Sequence, residues 1–225
     1  MPAATSTISV IVNTPKVAAI VLAAGGGTRF RHTSHKLRAE LNGRPVFSWT
    51  LAAVIGAGFD HVFVVTGAVE LVDLVATIVD GSDSPDGGGC GVVEDPRMSF
   101  RPPVQVVHNP RWSEGQSTSL SAGIAAARAL GVDAVVVGLG DQPGVPTSAW
   151  ESVRVADQTP IAMAEFDGMK RPPVRLAKST WDELPDHGDE GARNLIRSRP
   201  ELVRTVACEG NPADIDTLED LERWN

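Results

Sequence analysis

Four short apolar, β-branched runs, Val17 to Leu22, His61 to Thr66, Val104 to His108 and Ala134 to Gly138, are separated by longer amphipathic stretches. Runs of this kind suit strands covered on both faces, and strands alternating with helices make βα units around a largely parallel sheet. Helices are predicted over Pro45 to Ile55, Val69 to Val79, Ser117 to Leu130 and Thr147 to Ala156, with Pro45 and Pro146 near helix starts, where a missing N–H is tolerated. After Asp157 the rhythm changes. Ile161 to Glu165 and Pro173 to Leu176 flank the turn signal Phe166-Asp167-Gly168, which predicts a hairpin-like insertion able to cover a second substrate. Short helices over Ser179 to Leu184 and Glu190 to Arg197, a strand near Leu202 to Ala207 and a last helix from Thr217 complete the expectation. A chain of 225 residues favours one domain, here 17–225, behind a flexible N-terminal tail, 1–16. The stretch 80–103 is rich in Gly, Asp and Pro without periodicity and reads as a mobile surface loop. The expected class is therefore α/β: a single three-layer domain with a mostly parallel mixed sheet.

The formal charge of −8 argues against broad binding to nucleic acid or to an anionic membrane, so neither is expected as a partner. Positive charge is nevertheless concentrated locally. Arg29, Arg31, Lys36, Arg38 and Arg44 share one short stretch with a single acid, Glu40. The two cysteines, Cys90 and Cys208, lack the number and spacing of a disulfide framework or zinc site, although a bond between them stays open; a reducing cytoplasm is the simplest home. No apolar run approaches membrane-spanning length.

The first strand runs directly into Leu22-Ala23-Ala24-Gly25-Gly26-Gly27-Thr28-Arg29, where consecutive glycines let backbone amides curl around phosphate oxygens. The loop fits neither G-x-G-x-x-G, since Phe30 holds the last position, nor the G-x-x-x-x-G-K of a P-loop. Read with Arg29 and Lys36, it resembles the L-A-A-G-x-x-x-R signature, with a following lysine, of nucleotidyltransferases of glycosyltransferase-A-like, Rossmann-like fold. The spacing of Arg29 and Lys36 is longer than in typical molybdenum cofactor cytidylyltransferases and looks more like methylerythritol cytidylyltransferase. The competing reading is a glycine turn beside solvated cations.

Further motifs follow in family order. Asn109-Pro110-Arg111-Trp112-Ser113-Glu114-Gly115-Gln116-Ser117-Thr118-Ser119-Leu120 enters a helix and offers amides and hydroxyls at a positive helix end; it is similar to a nucleotide-contacting segment of molybdenum cofactor cytidylyltransferases, or else simply an N-cap series. Leu139-Gly140-Asp141-Gln142-Pro143 ends a hydrophobic strand, at the edge where open α/β sheets place ligands, and looks like that family's metal-binding segment. Asp214-Ile215-Asp216-Thr217-Leu218-Glu219-Asp220-Leu221 resembles the closing D-I-D-T-P-E-D-L, with Leu218 for proline. Asp216 followed by Glu219 also fits a capping box. Gly188-Asp189-Glu190-Gly191-Ala192-Arg193 resembles an acceptor-side G-D-x-G-A-R, whereas Arg171-Pro172-Pro173-Val174 departs from the usual G-H-P-V. The five histidines show no metal-ligand spacing, and surface or packing roles are expected of them.

The resemblance implies catalytic roles for Arg29 and Lys36, and nucleotide binding by Leu22, Ala23, Ala24, Gly25, Gly26, Gly27, Thr28, Gly115 and Ser119. It implies acceptor binding by Asp189 and Arg193, and Mg²⁺ binding by Asp141 and Asp216. The implied reaction transfers CMP from CTP to the molybdenum-molybdopterin cofactor, with a molybdoenzyme as recipient of the product. Guanylyl transfer to that cofactor, as in molybdopterin-guanine dinucleotide synthases, nucleotidyl transfer to a phosphosugar, phospholactate or methylerythritol phosphate, and a non-catalytic nucleotide-binding accessory protein are the alternatives. A nicotinamide dehydrogenase would need the glycine spacing that is absent.

Overall fold

The computed structural model describes residues 15–30, 32, 34–81 and 101–224. The tail up to residue 14, Arg31, Cys90 and most of the 80–103 stretch therefore lie outside the described residues. The chain runs β1 (Val17–Ala23), β2 (Glu40–Leu41), β3 (Arg44–Pro45), α1 (Val46–Gly56), β4 (His61–Thr66), α2 (Val72–Val79), β5 (Val104–His108), α3 (Gln116–Ala129) and β6 (Ala134–Leu139). It continues through α4 (Thr147–Val155), β7 (Ile161–Phe166), β8 (Met169–Ala177), α5 (Arg193–Ser198), β9 (Val203–Ala207) and α6 (Leu218–Trp224). Seven strands form one sheet in the order β5-β4-β1-β6-β8-β7-β9, with β2 and β3 pairing separately. All neighbours in the large sheet are parallel except those of β8, which is antiparallel to both β6 and β7.

β1 shows why the sheet is covered on both sides. Its side chains alternate between faces: Val17, Ala19, Val21 and Ala23 pack with Phe47 and Leu51 of α1, Val75 of α2 and Trp150 of α4. Ala18, Ile20 and Leu22 pack on the opposite face with Leu120 and Ile124 of α3 and Leu195 of α5. Because both faces are buried, an unbroken apolar strand gains about 1.5–3 kcal/mol per large side chain on either side, and no polar alternation is needed. The result is the three-layer α/β domain expected from the pattern of runs.

Two expectations need correction. The segment read as a hairpin-like insertion is a hairpin, turning through Asp167 (φ 49°) and Gly168 (φ 79°), but it is not an insertion. β8 sits between β6 and β7, with Val174 opposite Val137 and Leu176 opposite Val135, so it is an interior strand of the main sheet and not an appendage to it. Its apolar residues recur on one face only from Val174 onward, which makes a short sequence window look like an edge. Lys16, assigned to the tail, is already tied down: its N–H donates to the Asp133 carboxylate (2.9 Å) and its carbonyl accepts from Asp133 N–H (2.9 Å). Among the described residues no helix is long and apolar enough to cross a membrane.

Candidate active site

β1, β4 and β6 are adjacent and parallel, so their carboxyl ends open onto one crevice, the place where open α/β sheets collect ligands. A cavity of about 430 Å³ lies there. Every site residue expected from the sequence borders it: residues 22–29, Lys36, Gly115, Ser119, Asp141, Asp189, Arg193 and Asp216.

At its centre Lys36 joins two carboxylates that are remote in sequence. The ammonium donates to Asp141 Oδ2 at 2.5 Å and to Asp216 Oδ1 at 2.7 Å, while Arg29 reaches Asp216 Oδ2 at 2.9 Å. Burial alone would push the Lys36 ammonium down, but the charges and hydrogen bonds of Asp141 and Asp216 override it and hold the pKa above the ordinary lysine value. Asp141 projects from the turn after β6, and the Asp216 segment is stitched against that turn by backbone contacts. Ile215 N–H donates to Asp141 O (3.0 Å), Asn211 N–H to Gly144 O (2.9 Å), and the buried Gln142 amide to Pro212 O (2.9 Å). The capping box predicted for Asp216 and Glu219 forms one residue later. Thr217 Oγ1 accepts from Asp220 N–H (3.1 Å), and Asp220 Oδ2 accepts from Thr217 N–H (2.9 Å). That shift leaves the Asp216 carboxylate facing the cavity.

The glycine loop is held from both sides, by His35, of which only a surface or packing role was expected, and by Trp112. Nε2 of His35 bonds the Gly25 carbonyl (3.0 Å), while its Nδ1 accepts from Leu37 N–H (3.3 Å). This pairing selects a neutral ring with its proton on Nε2. Burial lowers the His35 pKa, with Lys36 adding to the fall and the Gly25 bond opposing it. The folded state thus holds the ring neutral more strongly than the unfolded chain does. The stability this supplies is full above the unfolded value of 6.5 and is lost as pH falls from there through the lower folded value. His35→Gln is expected to flatten the loss of Tm between pH 7 and 5, measured by thermal melts; a wild-type slope in the variant would show that the ring does not titrate in this way. On the other flank Trp112 leans over the loop, and a Cβ on Gly67 would lie 2.5 Å from the Trp112 Cβ, so only glycine admits this approach. Trp112 was legible as part of a motif, but its function as a wall depends on Gly67, a residue without any motif of its own.

The amides expected to be free at the start of α3 are taken. Asp189 Oδ1 accepts from Gln116 N–H (3.3 Å), Gly188 O accepts from Ser117 N–H (2.9 Å), and Ser117 Oγ accepts from Gly191 N–H (3.0 Å). Buried Asn109 donates to Thr118 Oγ1 (2.8 Å) and Ser119 Oγ (2.9 Å). Asp189 thus caps a helix while its segment walls the cavity, and the sequence had no way to announce a partner so far along the chain. Arg193 is different. Glu190, a candidate partner for it, pairs with Arg197 instead (3.0 Å), and the exposed Arg193 guanidinium has no ion pair among the described residues.

Arg193 also borders a second cavity of about 110 Å³ that shares Leu22, Gln116 and Leu139 with the first. Its walls are apolar, including Leu120, Val137, Met163, Val174 and Ile196, and its charged residues are Lys170, Arg171, Glu190 and Arg193. The Arg171-Pro172-Pro173-Val174 segment of β8 thus reaches the crevice from within the sheet.

The family model described as the MobA-like NTP transferase domain matches residues 19–204, most of the chain. The chain belongs to this family. It is similar to the purine catabolism protein PucB of Bacillus subtilis, at 26% identity over 223 residues covering 94% of this chain and 97% of that protein. Nicotine blue oxidoreductase of Paenarthrobacter nicotinovorans is also 26% identical over 223 residues, with 93% and 96% covered. Among solved structures, Rv0371c of Mycobacterium tuberculosis superposes with a TM-score of 0.67 at 26% identity, covering 93% of this chain and 97% of that one. A manganese complex of that protein superposes with a TM-score of 0.63 over the same shares. The family match and the fold together make this a nucleotidyltransferase domain. The matched span ends before Asp216, whose place beside Asp141 is given by the Lys36 bridge.

Proposed function

We propose that the protein transfers CMP from CTP to a phosphate of the molybdenum-molybdopterin cofactor, releasing pyrophosphate. The observation that carries the proposal is the convergence of Lys36, Arg29, Asp141 and Asp216 beside the glycine loop in a single cavity. In this reading residues 22–28 cradle the triphosphate, with Gly115 and Ser119 on the nucleoside side. An acceptor phosphate oxygen attacks the α-phosphorus, a new P–O bond forms, and the bond to the β-phosphate oxygen breaks with pyrophosphate leaving. Positioning and charge neutralisation are the principal contributions a protein makes to such a step. Lys36 and Arg29 are the cations at hand, and no covalent intermediate is required.

The paired carboxylates fit a divalent metal ion. They supply hard oxygen donors, and among the described residues no larger His, Cys, Asp or Glu cluster is grouped to cage a metal. Mg²⁺ commonly binds through one or two carboxylates and completes its shell from phosphates and water. Asp141 and Asp216 would hold it, and it would supply further neutralisation of phosphate charge. The manganese complex of Rv0371c supports a divalent ion in this family.

The second cavity combines an apolar wall, on which a planar ring can lie, with Lys170, Arg171, Glu190 and Arg193 for polar and anionic groups, and this supports placing the acceptor there. Arg193, which has no ion pair among the described residues and borders both cavities, suits the acceptor's phosphate. Guanylyl transfer or a different phosphorylated acceptor would use the same central chemistry. An oxidoreductase role, as the name of the Paenarthrobacter protein gives for that relative, would leave the carboxylate–lysine cluster without a task here. Pyrophosphate release, measured with each of four nucleoside triphosphates against molybdopterin and sugar phosphate acceptors, tests the proposal. CTP with the pterin should give the largest kcat/KM, and no release with any pair would make the protein a binding accessory. In the same assay Arg193→Ala is expected to raise the acceptor KM roughly tenfold, the worth of a charged hydrogen bond, with kcat and the triphosphate KM little changed. Equal defects toward both substrates would remove Arg193 from the acceptor side.

A further inference from the structure

We infer that Lys36 is a resident cation of the Asp141–Asp216 pair which a divalent metal ion must displace, so that nucleotide binding, by drawing the ammonium onto its phosphates, opens the metal site. This rests on the proposed role of the two carboxylates, and it adds an order of events to it.

The contacts leave little room for both cations. Lys36 Nζ lies 2.5 Å from Asp141 Oδ2 and 2.7 Å from Asp216 Oδ1, bridging the two side chains from between them. A metal ion held by the same oxygens at about 2.0–2.1 Å would stand almost where the ammonium stands. The side chain of Lys36 is only 11% exposed, so this bridge is not a loose surface pair. Arg29 also pairs with Asp216, but on the other oxygen, Oδ2, and from a side chain that is 74% exposed. Arg29 can therefore remain while a metal enters, whereas Lys36 cannot.

The carboxylates do not depend on Lys36 for their proximity. Their segments are joined by the bond from Ile215 N–H to Asp141 O at 3.0 Å, with that from the Gln142 side-chain amide to Pro212 O at 2.9 Å beside it. Withdrawing the ammonium would leave two anions close together, a strong attractor for a hard divalent cation. Lys36 also has somewhere to go. The Cγ of its stem lies 3.5 Å from where a Cβ on Gly27 would stand, so the side chain is rooted beside the phosphate loop. A triphosphate in that loop offers it an alternative set of anionic oxygens. The free protein would then hold metal weakly, and the bound triphosphate would bring tight metal binding at the moment it is useful.

The test measures Mn²⁺ binding to the full chain by electron paramagnetic resonance, with and without the non-reacting α,β-methylene analogues of CTP and GTP, used in parallel. Without nucleotide, Lys36→Met is expected to bind Mn²⁺ roughly tenfold more tightly than wild type, about the effect of removing a well-placed ion pair. The enhancement that nucleotide gives wild type should shrink by a similar factor. Arg29→Met, which removes the same charge without vacating the bridge, should change nucleotide-free binding less than about threefold. Lys36→Gln provides the measurement should Lys36→Met not give a wild-type circular dichroism spectrum. Unchanged or weaker Mn²⁺ binding in the Lys36 variants overturns the inference, as does an equal gain in Arg29→Met, which would reduce the effect to bulk charge. If the Lys36 variants are flat while Asp141→Asn abolishes nucleotide-dependent Mn²⁺ binding, the order of events fails and the metal role of the carboxylates stands. If a gain in Lys36→Met survives the added Asp141→Asn, or no variant binds Mn²⁺, the carboxylate pair is not a metal site and both fall.

Discussion

Replacing Asp141 with asparagine is expected to lower turnover at saturating substrates by about 10²-fold or more while changing Tm by only a few degrees. The substitution keeps size and an acceptor oxygen but removes the charge opposite Lys36. The ammonium is not left orphaned, because Asp216 still accepts from it at 2.7 Å, so the stability cost stays near the roughly 1–2 kcal/mol of one charged hydrogen bond and well below that of stranding a buried charge. The backbone contact that carries the turn, Ile215 N–H to Asp141 O, does not involve the side chain. Catalysis has no such reserve. A weak neutral ligand would replace an anionic one at the place where a divalent cation and the phosphates meet. Steady-state pyrophosphate release and a thermal melt on the same preparation decide. Wild-type turnover at saturating Mg²⁺ would reduce Asp141 to a turn residue, and a collapse in Tm would make it structural.

Gly115→Ala is expected to damage the fold itself, by about 3 kcal/mol or more, read as a fall in Tm of roughly 6–12 °C. Gly115 has φ 115° and ψ 165°, a region open essentially to glycine alone. It is also pressed against the segment that caps α3: an added Cβ would stand 2.4 Å from both the carbonyl carbon and oxygen of Gly188. Those are backbone atoms, fixed by the Gly188 O to Ser117 N–H bond at 2.9 Å, and they cannot turn aside like a side chain. Moving them would withdraw Asp189 from Gln116 and disturb Arg193 a few residues on, so activity should fall with stability. Gly131→Ala is the control. Its φ is also positive, at 66°, but nothing lies within 4 Å of its added Cβ, so it should lose only about 1 kcal/mol. If the two variants melt alike, the close approach at Gly115 carries no energy.

The pattern of local signals was enough for the secondary structure that matters to the site. β1, β4 and β6 were legible because strands buried on both faces are continuous apolar runs, and β5 from its β-branched residues, although it is an edge strand with both faces partly exposed; α3 and α4 were legible because helical periodicity and, for α4, a preceding proline are short-range features. The glycine loop and the Asp141 turn were legible for the same reason, since each follows directly from the end of its strand. Three things were not legible. The place of β8 inside the sheet depends on which strands β6 and β7 leave open, and its neighbours are set by the whole topology. The cap on α3 comes from Gly188 and Asp189, far along the chain, so the amides looked free when only their own segment was considered. The choice between Asp216–Glu219 and Thr217–Asp220 as capping pair differs by one residue, a smaller interval than helix boundaries read from sequence can resolve.

The chain sequence by itself determined that a phosphate-cradling loop with nearby cations would stand at the end of a buried parallel strand, because backbone freedom, apolarity and charge are properties of contiguous residues. Only the tertiary structure decided that Lys36 would reach Asp141 and Asp216 together and that Arg193 would border two cavities. Those meetings depend on strand order and on the return of the C-terminal segment to the turn after β6. Contacts between residues so far apart are made by the closing of the whole fold, whose loop entropy and packing no single segment contains.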